Sequence, residues 1–369
     1  MSGALGEADL LALECAVLGA LASWPLSPST RVELLNVSEN ATFLLHDPDE
    51  DRRLVLRVQR PGYRTEPEIR SELAWIFALR EQGVVGTPAP VAATDGNFIY
   101  RLHVGAAAQG PSPLPWSAWR PKPARGGGVS RTRPLPLREG VGGGVDRVLA
   151  AVAFEYVSGR EPAATGDLTH CFQAVGAITA RLHQHARAWC RPRGFVRNAW
   201  DFRATLGERA LWGDWRAGIG LEKAGIAVLQ RVADCLRIRL ARFGRSPDRF
   251  GLIHADLRLS NLIVAGGALN VIDFDDCGFG WLGYDFAASV SFFEHEPRVP
   301  ELLAAWLDGY RTVAPFSREN EAEIPTFIML RRMLLLAWIA SHRDAPVARE
   351  IGSSYTGGTL ALADDFLRR

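Results

Sequence analysis

Lysine is almost missing from this sequence: of its 42 basic residues only Lys122 and Lys223 are lysines, the rest being arginines. Any task that needs a cation therefore falls to Arg nearly everywhere. Cysteine is sparse as well. Cys15, Cys171, Cys190, Cys235 and Cys277 make no CxxC pair and no metal-ligand spacing, which suits free thiols in a reducing compartment better than a disulfide framework. Neither charge sign is in excess, the formal net charge being +1, so nothing calls for nucleic acid or for a membrane surface as partner. No unbroken run of about 18 apolar residues is found, and no membrane-spanning helix is expected. The opening MSGALGEADL carries acids and no basic stretch, unlike a signal peptide. These absences fit a soluble cytoplasmic protein. What is present is ordinary: 47% hydrophobic and 22% charged residues over 369 positions, enough chain for two lobes with a core each.

Along the chain, residues 8–24 have apolar positions at helical spacing. From Arg31 to Val58 short Leu/Val-rich runs parted by the turn-rich His46–Asp51 read as antiparallel strands. Pro67–Gln82 is a helix, with Pro at its start and Gly83 just past its end. One or two further strands are expected around Pro90–His103, turning at Asp95-Gly96. Residues 104–145 differ from their surroundings in glycine, proline and arginine content and read as a flexible basic insertion. Leu149–Val157 is an apolar strand. Helical patterns then dominate at Leu168–Trp189, Ala199–Trp212, Leu221–Phe243, Glu301–Thr312, Glu321–His342 and Thr356–Leu367, interrupted by short strands at Gly251–His254 and Leu269–Phe274. The expected organisation is an N-terminal helix (1–30), a strand-rich lobe (31–153), a connecting segment (154–159) and a larger helical lobe (160–369).

The chemistry sits in Gly251–Asp285. His254-Ala255-Asp256 is followed five residues after the Asp by Asn261, then by a hairpin turning at Ala265–Ala268 and by Asp273 in Ile-Asp-Phe-Asp-Asp. An Asp on a loop can accept the proton of an attacking hydroxyl. An Asn shortly after it and an Asp on the adjacent strand supply hard oxygen ligands for Mg²⁺. The hairpin brings those two ligands together, and phosphoryl transfer needs little beyond positioning and charge neutralisation.

On these residues the chain resembles the aminoglycoside phosphotransferase and choline kinase superfamily, the small-molecule relatives of protein kinases. His254–Asn261 looks like the family's HGDxxxxN loop, and Ile272–Asp275 like its metal strand. The resemblance covers roughly residues 31–345. It implies an α+β, protein-kinase-like bilobal fold with a small antiparallel-sheet N-lobe and a larger, mostly helical C-lobe, using ATP and Mg²⁺. It makes Asp256 the catalytic base, Asn261 and Asp273 the metal ligands, and His254 a brace for the loop. Arg258 falls near the transferred phosphate and Asp285 is structural. Ser38–Phe43, which includes Ser38 and Asn40, takes the place of the phosphate-covering loop but contains no glycine. Arg57 stands where the family's strand carries Lys, with Glu72 on the next helix as its ion-pair partner. Glu155 and Val157 lie in the interlobe linker, where backbone groups hold adenine. Asp275 and Asp276 read equally as solvated acids or as second partners of the metal. His183 and His185, two apart on a helix, read as packing or hydrogen-bonding residues.

The phosphoryl acceptor stays open, a small molecule or a Ser/Thr side chain. Groove candidates are Trp281, Tyr284, Glu294, His295, Arg331, Arg332, Trp338 and His342, the two adjacent arginines reading as salt-bridged surface residues with at most one facing the groove. Pro315–Arg369 has 7 acids and 7 arginines, without the acidic excess that a polycationic antibiotic would want. Homoserine-kinase-like, hydroxylysine-kinase-like and stress-response Ser/Thr kinase branches all fit. A nucleotide-binding pseudokinase, or an interaction protein working through the basic insertion, remains the alternative.

Overall fold

The computed structural model describes residues 7–37, 40–105, 147–163, 166–343 and 346–368. The first half builds a six-stranded antiparallel sheet from β1 (Arg31–Val37), β2 (Asn40–Asp47), β3 (Arg52–Gln59), β4 (Pro90–Val91), β5 (Tyr100–Val104) and β6 (Arg147–Glu155). The strand order is β1-β2-β3-β6-β4, with β5 also on β6. One face of the sheet is apolar. Phe43, Leu45, Leu54, Leu56, Ala151 and Ala153 pack there against Leu13, Val17 and Trp24, and Leu13 and Val17 belong to helix α1 (Glu7–Gly19). Helix α2 (Glu66–Glu81) begins in a capping box, the Thr65 N–H donating to Glu68 at 2.8 Å. It ends where Gly83 turns left-handed, φ 59°, as the Pro-first, Gly-last pattern predicts. Its inner residues Ile69, Leu73, Ile76 and Leu79 join the core of the second half, so α2 ties the two lobes.

The second half contains α3 (Thr169–Ala188), α4 (Phe202–Thr205), α5 (Lys223–Phe243), β7 (Phe250–Ile253), β8 (Leu262–Ala265), β9 (Ala268–Val271) and β10 (Gly278–Trp281). It continues with α6 (Tyr284–Ser289), α7 (Val299–Arg311), α8 (Arg318–Ala322), α9 (Ile324–Ser341) and α10 (Pro346–Arg368). Helices α3 and α7 cross backbone to backbone: a Cβ on Gly176 would lie 1.9 Å from the Trp306 carbonyl oxygen, and one on Gly309 1.8 Å from that of Gln173. The chain thus has the expected kinase-like architecture, a sheet lobe and a helical lobe.

Two expectations need correction. Ala199–Trp212 is not a helix beyond the four residues of α4. Ala199 bridges to Phe279 instead, Trp200 donates its N–H to the Phe279 carbonyl at 2.7 Å, and its indole N–H goes to the Asp276 carbonyl at 2.8 Å. The apolar residues at helical spacing are therefore aromatic anchors of an irregular segment. Secondly, Asn40–Phe43 belong to β2 rather than to a turn. Helix α9 is long and apolar enough to cross a membrane by length and composition, but its apolar run is broken by Arg331 and Arg332 and 78% of it is buried inside the fold. The basic insertion lies outside the described residues from 106 to 146.

Candidate active site

The loop after β7 is shaped by one buried carboxylate. Asp285, at the start of α6, accepts the backbone N–H of Ala255 at 2.7 Å, that of His254 at 3.2 Å, and a His183 ring N–H at 3.0 Å. This holds Ala255 in the left-handed region, φ 68°, a conformation costing an L-residue about 1–2 kcal/mol. His254 braces the same turn. Its Nδ1 accepts from the Asp256 N–H at 3.3 Å, its Nε2 donates to the Ile272 carbonyl at 3.2 Å, and its ring packs on Phe274. Burial holds its pKa below the ordinary histidine value, against the pull of Asp285 and Asp256, which matches the neutral ring this pattern needs.

The strained turn delivers Asp256 to the cleft. One oxygen, Oδ2, accepts from Asn261 Nδ2 at 2.8 Å and lies 3.2 Å from Arg258 Nε; the other, Oδ1, accepts from Arg331 Nη2 at 2.5 Å. Burial works against the charged form, but Arg258 and Arg331 outweigh it and hold this carboxyl below the usual range. The hairpin follows. Gly266 and Gly267, φ 56° and 79°, supply the two left-handed positions of a tight two-residue turn, and Leu262 pairs with Val271. The Ile272 N–H donates to the Asn261 carbonyl at 3.0 Å. Strand β9 ends at Val271, so Asp273 sits two residues beyond it rather than in it, also left-handed at φ 60°. Its side chain is 47% exposed, facing the cleft. Burial around it and the nearby Asp275, Asp256 and Glu72 push its pKa up to about 6, against the opposing charge of Arg57. A carboxylate so placed among acids invites a cation.

Asn261 spends its amide N–H₂ on Asp256, so its Oδ1 is the atom left for a metal. Asn261 and Asp273 are two hard oxygen donors. Mg²⁺ commonly takes one or two such ligands from the protein and fills its octahedron with phosphates and water. The donors fit that ion, and among the described residues no group of three or more His, Cys, Asp or Glu forms a closed metal cage.

The sheet lobe contributes a buried cation. Arg57 Nη2 donates to both oxygens of Glu72, at 2.8 and 2.7 Å, while Nη1 lies 3.4 Å from Asp273 Oδ1. The ion pair predicted between Arg57 and Glu72 is therefore present. Asn40 donates to Asp275 at 3.1 Å. Ser38 lies outside the described residues. Asp275 and Asp276 are not solvated: Asp275 is buried, 3.6 Å from Arg64 Nε, and Asp276 accepts from Arg64 at 2.5 Å and from Tyr63 at 3.1 Å. Although burial disfavours its charge, Arg57, Arg64 and Arg197 hold the Asp275 carboxyl low. As expected, His183 and His185 are hydrogen-bonded core residues, bonded to Tyr310 and Trp75 among others.

Asn40, Arg57, Glu72, Glu155, Val157, Asp256, Arg258, Asn261 and Asp273 all line a single cleft of about 770 Å³. Of the groove candidates only Arg331 and Trp338 line it. Trp281, Tyr284, Glu294 and Arg332 are buried in the core. Arg331 and Arg332, expected at the surface, are each 1% exposed. Arg332 turns away to pair with Glu294 at 2.6 Å, because neighbours on a helix point about 100° apart. Sequence reasoning missed Tyr63, Trp212 and Phe292, which also line the cleft. The Trp212 indole donates to the Tyr63 hydroxyl at 3.3 Å, and Phe292 packs on Trp338 from a left-handed backbone, φ 76°.

Residues 31–320 match the phosphotransferase enzyme family. A solved microcompartment-associated aminopropanol kinase is 37% identical, covers 96% of this chain and 97% of its own, and superposes with a TM-score of 0.78. The amicoumacin kinase of Bacillus subtilis is 28% identical over 57% of this chain, a stretch spanning 64% of that relative, just under two thirds of its length. The choline kinase of Cryptosporidium parvum shares the fold at 12% identity, covering 95% of this chain and 96% of its own with a TM-score of 0.59. With the family matched over most of its length, the chain belongs to the phosphotransferase enzyme family and is a kinase with an alcohol group as acceptor.

Proposed function

We propose that this kinase transfers the γ-phosphoryl group of ATP, bound with Mg²⁺, to the hydroxyl of a small amino alcohol. The observation that carries the proposal is the meeting in one cleft of the Asp256–Asn261 pair, the half-exposed Asp273 and the Arg57–Glu72 pair. Asp256 accepts the hydrogen bond of the acceptor hydroxyl and takes its proton as that oxygen bonds to the γ-phosphorus and the bond from the γ-phosphorus to the bridging oxygen breaks, releasing ADP. Arg258 lies beside it, against the phosphoryl in flight. Asn261 Oδ1 and Asp273 hold the metal, which when bound neutralises phosphate charge. Arg57, steadied by Glu72, faces the remaining phosphates, with Asn40 lining the same cleft. The Glu155 carbonyl and the Val157 N–H grip the adenine.

A small cationic acceptor is supported by the likeness to aminopropanol kinase and by Tyr63, Trp212, Phe292 and Trp338, aromatic side chains that line the same cleft as Asp256, since an ammonium is attracted to aromatic rings. The lobes are bridged by Tyr63 to Asp276 and by Arg60, whose Nη1 is 3.3 Å from His342 Nε2. That closure favours a small molecule over a protein side chain. The test is ADP release by the full chain with Mg²⁺ and ATP against a panel of aminopropanol, choline, homoserine, an aminoglycoside and a Ser/Thr peptide. Amino-alcohol turnover that falls by about 10²–10⁴-fold in Asp256→Ala is expected; turnover of the peptide alone would overturn the acceptor class. A nucleotide-binding pseudokinase is the second reading, favoured by Arg57, which Glu72, Asp273 and Asp275 already occupy. It requires ATP binding with no turnover of any acceptor.

A further inference from the structure

Arg331 is held at every end of its guanidinium. Nε donates to Ser291 Oγ at 3.1 Å, Nη2 to Asp256 Oδ1 at 2.5 Å, and Nη1 lies 3.4 Å from the Ala255 carbonyl oxygen and 3.5 Å from the Tyr284 hydroxyl. Its Cζ stands 5.3 Å from the centre of the Trp212 ring. Arg258, by contrast, has a side chain 31% exposed and touches Asp256 only at the edge of the cleft. The two arginines flank one carboxylate from opposite sides, and only Arg258 has nitrogens to spare for a ligand.

We propose that Arg331 is a positioning residue for phosphoryl transfer: it fixes Oδ1 of Asp256 so that the carboxylate meets the acceptor hydroxyl through its other oxygen. This rests on the reading of Asp256 as the group that receives that hydroxyl. Fixing one oxygen while Asn261 fixes the other side leaves the carboxylate no rotation about its Cβ–Cγ bond. The bond to the Ala255 carbonyl acts in the same sense, because it pins the left-handed residue from which Asp256 is launched. The arrangement needs the fork of arginine rather than a positive charge. Lysine has three donors on one atom and cannot reach Ser291, Ala255 and Asp256 together.

That difference supplies the test. Arg331→Lys keeps the charge beside a buried carboxylate but loses the fork. If Arg331 only neutralised Asp256, the lysine variant would retain wild-type kcat. As a positioning residue its loss lowers kcat about 10²-fold while the KM for ATP stays within about twofold. Because Arg331 acts through Asp256, the same change in an Asp256→Asn background has no further effect on kcat. An unchanged kcat in Arg331→Lys overturns the proposal, and so does a loss that multiplies in the Asp256→Asn background, which would place Arg331 on the reacting groups themselves. Should the lysine variant fail to fold, Ser291→Ala carries the test, with an expected fall in kcat of about tenfold and no fall overturning the proposal. Absence of turnover in the wild type would instead overturn the kinase assignment, and this inference with it.

Discussion

The turn that carries Asp256 hangs on Asp285, and replacing that residue by asparagine should expose the dependence. Asp285 is fully buried and its two oxygens serve three donors: the N–H groups of His254 and Ala255 and the His183 ring. An asparagine of the same shape has one acceptor oxygen and one N–H₂. If the oxygen faces Ala255, the N–H₂ confronts the His254 N–H; if reversed, it confronts the Ala255 N–H. His183 can adapt by exchanging tautomers with Tyr310 as its other partner, but a backbone N–H cannot. Each orientation therefore leaves one buried backbone donor unsatisfied, worth about 1–3 kcal/mol. Asp285→Ala strands both backbone donors and should cost about 2–6 kcal/mol. Urea denaturation of both variants, read beside wild type, gives these numbers directly. Turnover should fall as well, since the left-handed Ala255 has lost the bond that offsets its strain. Stability of both variants within about 0.5 kcal/mol of wild type would refute the reasoning.

Ala255→Gly should leave stability within about 1 kcal/mol of wild type, because relief of left-handed strain offsets the greater freedom of glycine in the unfolded chain, whereas Ala255→Val should lose more than about 2 kcal/mol; equal midpoints for the two variants would contradict the strain. Glu294→Gln, which leaves the buried Arg332 without its 2.6 Å ion pair, should cost about 3–5 kcal/mol, and Glu294→Leu combined with Arg332→Met should recover part of that loss in the same denaturation assay. His185 accepts the Trp75 indole N–H through Nδ1 at 3.2 Å, and burial holds its pKa below the ordinary 6.5. The unfolded chain then binds the proton first, so its contribution is present above pH about 6.5 and is lost as pH falls towards the lowered folded value. Melting temperatures from pH about 7.5 to 5 should fall less steeply in His185→Gln, and an identical slope would remove His185 from the account.

Much of this architecture could be read in the sequence because its signals are local. Asp256 and Asn261, the proposed base and metal ligand, are five residues apart, the hairpin announces itself with Gly266-Gly267, and α2 carries both its cap and its stop. Arg57 and Glu72 stand on consecutive elements, so their pairing follows from strand and helix alone. The rest depends on partners far apart in the chain. Arg331 and Asp256 are separated by 75 positions, and nothing in a helix of Leu, Met and Trp says which of two adjacent arginines will meet the carboxylate. Tyr63 and Trp212 meet across 149 positions, one beyond the end of a strand and the other in a segment whose periodicity suggested a helix. The backbone at Ala199 and Trp200 bonded to β10 instead of starting a long helix, an instance of tertiary bonding overriding pattern.

The proposal on which the rest depends is the holding of a divalent cation by Asp273 and Asn261 beneath a nucleotide in this cleft. It is tested most directly by the thermal shift of the full chain with ATP, with and without Mg²⁺, in wild type and in Asp273→Ala. The expected result is a rise in melting temperature with ATP that requires Mg²⁺ in the wild type and disappears in the variant. An equal, Mg²⁺-dependent rise in Asp273→Ala, or no rise with ATP and Mg²⁺ in the wild type, would contradict it.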